Sequence, residues 1–160
     1  MSRAYIALGS NLEQPQQQVR AAFAALDTVP GVRLRRASSL YRTAPVGYLD
    51  QPDFINAVAE LETDLSPLAL LDALMALEEH FGRVRSFRNA PRVLDLDLLM
   101  MEDVELESER LTLPHPRMHE RAFVLAPLAE LQPDLAVGRH GRADRLLAGL
   151  DASGVERLAG

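Results

Sequence analysis

With 160 residues, 48% of them hydrophobic, the chain can bury one sizeable core, and its length argues for a single domain over residues 1–160. Cysteine is absent, which removes disulfides, thiolate nucleophiles, iron–sulfur clusters and cysteine-ligated zinc. All 17 basic side chains are arginine, so a Walker-type lysine, a Schiff base and a lysine general base are impossible, and a net charge of −6 disfavours a broad nucleic-acid surface.

In chain order, Tyr5 to Leu8 predicts a short strand closed by Gly9-Ser10-Asn11, and Pro15 suits the first turn of a helix. That helix carries Val19, Ala22, Phe23 and Leu26 at helical spacing and is broken by Pro30-Gly31. Val32 to Tyr41 reads as extended, and Arg42 to Asp53 as a loop long enough to bind something. Phe54 to Leu61 alternates as a strand, with Phe54, Asn56, Val58 and Glu60 on one side and Ile55, Ala57, Ala59 and Leu61 on the other. Ser66-Pro67 predicts an N-cap followed by proline at the first helical position, then Leu70, Leu71, Leu74 and Leu77 on one face up to Gly82.

An arginine-rich segment and a strand, Val93 to Met101, follow. The order strand, helix, strand, strand, helix, strand is that of a ferredoxin-like α/β (α+β) sandwich with a mainly antiparallel sheet. Beyond it lie an acidic hairpin or turn from Glu102 to Arg110, the loop LTLPHPRMHER, a helix from Glu120 to Leu131, and a tail without clear pattern. No window approaches the roughly 20 apolar residues of a membrane span, and the start MSRAYIALGSN lacks a signal-peptide layout, so a cytoplasmic location without membrane contact is expected.

The chemistry concentrates between Gly82 and Leu98. On a strand, Asp95 and Asp97 project from one face, about 7 Å apart at Cα, while Leu94, Leu96 and Leu98 fill the other. Two hard carboxylates with room for water and phosphate oxygens suit magnesium; the plain alternative is the wet side of an edge strand. Arg83, Arg85, Arg88 and Arg92 fall within ten residues, and their planar forks match phosphate oxygens. Alone they could be a solvated loop after a helix; beside the acidic pair they complete a metal–polyphosphate site. In the later loop Arg110, Thr112, His115 and Arg121 can add phosphate donors. A zinc pair of His115 and His119 is disfavoured, because Pro114 and Pro116 oppose a helix carrying both and no third ligand is evident.

Four stretches, YIALGSNL, then SSLYRTAPVG with QPDFINAV, then GRVR with PRVLDLDLL, and LPHPRMHERAFVLAPL, together resemble the 6-hydroxymethyl-7,8-dihydropterin pyrophosphokinase family from about Tyr5 to Leu131. The resemblance implies a ferredoxin-like enzyme of folate biosynthesis, a transferase that binds ATP and two magnesium ions and passes pyrophosphate to the pterin's hydroxymethyl oxygen, releasing AMP. It assigns Asp95 and Asp97 to the metals, and Arg83, Arg92 and Asp97 to catalysis. Glu78, Arg85, Arg88, Leu98, Arg110, Thr112, His115 and Arg121 would lie along ATP, some through backbone atoms. Thr43, Val46, Phe54, Asn56 and Phe123 would form the pterin pocket, with the two phenylalanines sandwiching the ring and the Asn56 amide reading its edge.

The chain departs from the family pattern at Asn89, where tryptophan is common, at Ala90, where glycine is common, and at Phe54, which can be tyrosine. A monomer is expected, without nucleic-acid partners. The competing readings are a ferredoxin-like ligand- or RNA-binding module and a magnesium-dependent nucleotide hydrolase. Against RNA stand the acidic balance and only 5% aromatics.

Overall fold

The computed structural model describes residues 1–12, 14–44, 50–82 and 93–158. Strand β1 (Ser2–Ser10) leads into helix α1 (Pro15–Leu26), and β2 (Val32–Ala37) and β3 (Tyr41–Thr43) precede β4 (Phe54–Thr63). Helix α2 (Pro67–His80) connects to β5 (Asp95–Met101), then come the small hairpin β6 (Leu106–Glu107) and β7 (Thr112–Leu113). A 3-10 turn (Met118–Glu120), α3 (Ala122–Leu131), α4 (Ala143–Ala148) and β8 (Val155–Arg157) complete the order.

The sheet runs β5-β1-β4-β3-β8, with β2 also on β4, and every pairing is antiparallel. Without β8 this is the ferredoxin-like order expected from the sequence. Alternation along β1, β4 and β5 divides the core into two. Ile6, Leu8, Ile55, Ala57, Ala59, Leu61, Leu96 and Leu98 face Val19, Ala22 and Leu26 of α1 and Leu70 and Leu74 of α2. Tyr5, Val58, Leu99 and Met100 face Val124, Leu125, Leu128 and Leu131 of α3. The apolar stripes of the helices thus cover both sides of the sheet.

Helix α2 starts as its sequence dictates: the Ser66 hydroxyl accepts from the Ala69 N–H at 3.2 Å, and Pro67 occupies the first turn. It ends at His80, with Gly82 at φ 83°, a left-handed conformation that glycine adopts without strain. Two expectations need adjusting. The extended segment after Val32 is two strands, because Ser38 leaves the ladder and its hydroxyl takes the Val58 N–H at 2.9 Å. The unpatterned tail contains α4 and β8, the latter paired with β3.

The face under α3 also buries charge. Glu60 is fully shielded from water, and its carboxylate accepts from the Tyr5 hydroxyl at 2.7 Å and from Arg36 Nε and Nη2 at 3.0 and 2.9 Å. Arg35 Nε lies 3.0 Å from the same group. Consecutive strand residues should point to opposite faces. A register break between Leu34 and Arg36 leaves Arg35 as the extra residue of a bulge, so both arginines reach one carboxylate.

Candidate functional site

A cavity of about 740 Å³ opens on the α3 face of the sheet, at the end where β1 and β5 bring Gly9 and Asp95 together. Its volume is in the range of small-molecule sites. The floor follows from the register. Gly9 is paired with Asp95 on one side and Asn56 on the other, and Ala7 with Asp97 and Val58. Two small residues on the central strand therefore separate a carboxylate row on β5 from Phe54 and Asn56 on β4. The rows are two strand spacings apart, roughly 10 Å.

Gly9 has little slack: a Cβ there would lie 3.2 Å from Asn56 Oδ1 and 4.0 Å from a Phe54 ring carbon. A Gly9→Val variant is expected to fold but to raise the KM of any substrate seated on this floor at least about tenfold, read by steady-state kinetics, because the branched side chain fills it. An unchanged KM would show that the ligand does not cross this strand.

Asp95 and Asp97 both line the cavity and are partly exposed, while Leu94, Leu96 and Leu98 are buried in the core beneath, as strand alternation requires. Behind them the buried Glu78 of α2 accepts the Leu96 N–H at 2.8 Å. This pins the outer edge of β5 between the two aspartates. Among the described residues no group of three or more histidine and acidic side chains gathers into a metal cage. Two carboxylates on a rigid strand fit a cation that completes its shell with water and phosphate oxygens, which is magnesium's habit.

The segment before α3 lines the same cavity and is anchored to the aspartates' own strand. The His115 N–H is tied to the Leu99 carbonyl at 2.7 Å, and His115 Nδ1 accepts from the Arg117 N–H at 3.1 Å, which puts the proton of the neutral ring on Nε2. Burial, then the charges of Arg121 and Arg117, hold the His115 pKa below its ordinary value, so the ring is neutral at pH 7. Arg121 occupies the position just before α3, and its guanidinium carbon lies 5.8 Å from the Phe123 ring centroid, a cation–π contact between two residues that line the cavity. His119 is not among the residues lining the cavity and stacks on His140 with centroids 3.6 Å apart.

At the other end the Asn56 amide donates to the Thr43 hydroxyl at 2.7 Å, and both side chains are buried. Of the residues expected from the sequence, Thr43, Phe54, Asn56, Asp95, Asp97, His115, Arg121 and Phe123 share this one cavity. Glu78 and the Leu98 side chain lie behind β5, Arg110 is paired with Asp72 of α2, and Thr112 sits in the hairpin. Val46, Arg83, Arg85, Arg88, Asn89, Ala90 and Arg92 fall outside the described residues. Sequence reasoning missed Arg117 and Glu120, and also Asp151, Gly154 and Val155 of the tail, all of which line the cavity. For Arg117 and Glu120, proximity to His115 and Arg121 was an available signal. The tail residues had none.

The model of the family described as 7,8-dihydro-6-hydroxymethylpterin-pyrophosphokinase (HPPK) matches residues 5–133. The chain belongs to that family. It is 50% identical over 162 residues to the 2-amino-4-hydroxy-6-hydroxymethyldihydropteridine pyrophosphokinase of Pseudomonas aeruginosa, covering 100% of this chain and 99% of the relative. The Haemophilus influenzae protein of the same name is 49% identical over 137 residues, 86% of each chain.

Among solved structures, wild-type Plasmodium falciparum HPPK-DHPS with pteroate superposes with a TM-score of 0.72 at 14% identity, over 92% of this chain and 42% of that one. The same protein with pterin and p-hydroxybenzoate gives 0.71 at 15%, over 92% and 41%. This chain therefore spans less than half of those solved chains, and at such identity the likeness speaks for the fold. Family membership makes this chain an ATP-dependent pyrophosphokinase of folate biosynthesis.

Proposed function

We propose that the cavity holds 6-hydroxymethyl-7,8-dihydropterin at its Phe54, Asn56 and Phe123 end and the triphosphate of ATP at its Asp95 and Asp97 end. The observation that carries this reading is the register across β1, which sets the aromatic and amide groups roughly 10 Å from the carboxylates over a floor of Ala7 and Gly9. That span suits a bicyclic ring whose hydroxymethyl arm must reach a phosphate. Phe54 and Phe123 offer faces to the ring, and Asn56, its amide oriented by Thr43, offers hydrogen bonds to its edge.

In the reaction the hydroxymethyl oxygen bonds to the β-phosphorus of ATP as the bond from that phosphorus to the α,β-bridging oxygen breaks. AMP departs and the hydroxyl proton is released. Asp95 and Asp97 would hold magnesium, two ions by family resemblance, and bound there the metal supplies charge neutralisation and orientation of the triphosphate. Arg121 directs a fixed positive charge into the same space, and neutral His115 can donate from Nε2 without adding repulsion near it. Arg83 and Arg92 would act on the transferring phosphates, and Glu78, Arg85, Arg88, Leu98, Arg110 and Thr112 along the nucleotide; Val46 would complete the pterin pocket with Thr43. Positioning of two bound substrates accounts for most of the rate, as expected when the transition state is loose. The described cavity walls all come from one sheet and the elements packed on it, which supports a single domain acting as a monomer.

Incubation with ATP, magnesium and 6-hydroxymethyl-7,8-dihydropterin is expected to release AMP only when the pterin is present. AMP release without pterin would convert the reading into nucleotide hydrolysis, and no release would reduce it to a binding module.

A further inference from the structure

The family model stops at residue 133, yet the cavity wall does not. Asp151, Gly154 and Val155 line it from the tail, and Val155 is paired directly with Thr43 in the β3–β8 ladder. Thr43 is also the residue that receives the Asn56 amide and pairs with Phe54 on its other side. Strand β3 has only three residues, so its position depends heavily on its neighbours.

Strand β8 is itself firmly seated. The Leu158 N–H donates to the Leu40 carbonyl at 2.8 Å, and Arg157 Nε donates to the Ser39 hydroxyl at 3.1 Å, with its Nη2 3.7 Å from Glu130 of α3. Glu130 in turn accepts from the Tyr41 hydroxyl at 2.7 Å. The turn before β8 is closed by Val155 N–H to the Ala152 carbonyl at 3.0 Å and by Ser153 N–H to the Asp151 carboxylate at 3.0 Å. Both the wall and its supports are therefore built, by a segment that no motif of the sequence singles out.

We propose that the tail from Asp151 to Arg157 sets affinity for the pterin, with Val155 closing the wall beside it and β8 positioning Thr43 so that Asn56 is held in its reading orientation. The inference rests on the pterin assignment above and extends it to residues outside the family motifs. It predicts an effect at one end of the cavity only, because the Asp95 and Asp97 strand lies at the opposite edge of the sheet.

Steady-state kinetics of four variants of the full chain test it: deletion of residues 151–160, Val155→Asp, Val155→Ile and Asn56→Ala, each with a thermal melt. The deletion and Val155→Asp are expected to raise the pterin KM at least about tenfold while the ATP KM stays within about twofold, and Val155→Ile is expected to stay near the parent. If the deletion does not fold, Val155→Asp decides. A parallel rise in both KM values, or none in the pterin KM while Asn56→Ala still raises it, overturns the role of the tail. If Asn56→Ala also leaves the pterin KM unchanged, the pterin assignment itself fails.

Discussion

Asp97→Ala is expected to lower turnover by at least about a thousandfold, equivalent to about 4 kcal/mol of lost transition-state stabilisation, while pterin affinity changes only a few-fold. The argument is geometric. Asp97 shares its strand face with Asp95 at the cavity, across Ala7 from Val58, and its side chain is not part of either hydrophobic cluster. Removing it should therefore leave the fold intact and the Asn56 end untouched, while taking away half of the anionic pair proposed to hold the metal. Three measurements separate the effects: kcat, pterin binding by equilibrium titration, and the magnesium concentration for half-maximal activity, which should rise in Asp97→Asn. Parent-like turnover in the alanine variant would remove the metal assignment.

The largest expected effect on stability lies away from the cavity, at Glu60. Truncation to alanine would leave the buried Tyr5 hydroxyl without its acceptor and release two arginines from their shared partner. Because Arg35 and Arg36 are each about two-fifths exposed, they can rehydrate, which keeps the cost below that of a fully buried pair. A loss of about 3 kcal/mol is expected, which for a chain of this size lowers Tm by roughly 6–12 °C.

The same cluster makes a pH prediction. Burial alone would raise the Glu60 pKa, but hydrogen bonds from Arg36 and Tyr5 and the charges of both arginines outweigh it and hold the pKa below the ordinary value. A depressed carboxylate contributes its stability above the unfolded-state pKa and loses it as pH falls through the folded one. The Tm difference between the parent and Glu60→Gln should therefore be full at pH 7 and shrink below about pH 4, the ordinary glutamate range. Scanning calorimetry across that interval checks it; a difference that does not vary with pH would exclude Glu60 as the ionised partner.

What could be read in advance was whatever depends on local periodicity. The two faces of β4, the Ser66-Pro67 start of α2, and the separation of Asp95 and Asp97 from Leu94, Leu96 and Leu98 all follow from alternation or capping within a few residues. Strand β8 was not legible because Val155–Arg157 has three residues and no alternation long enough to recognise; its partner β3 lies more than a hundred positions earlier. The Glu60 cluster escaped for a related reason. Its sequence places Arg35 and Arg36 on opposite strand faces, and only the bulge, a property of the pairing, brings them together. The site was legible as motifs, but the width and floor of its cavity were not, since these belong to the register of three strands at once.

Strand β5 contains a comparable irregularity. Its pairing with β1 slips by one residue between Leu98 and Met100, so Leu99 has no partner across the ladder, and its carbonyl receives His115 instead. The extra residue lets two consecutive apolar side chains, Leu99 and Met100, face α3 on the same side as the cavity carboxylates, while Leu98 before them and Met101 after them face α1 and α2. Without Leu99 the ladder would alternate plainly, Leu98 opposite Ile6 and Met100 opposite Tyr5, so the sheet would keep its faces and lose one apolar contact under α3 together with the carbonyl that receives His115. The bulge therefore serves the loop rather than the carboxylates: a chain lacking Leu99 is expected to keep Asp95 and Asp97 on the cavity face while losing the anchor of the His115 segment.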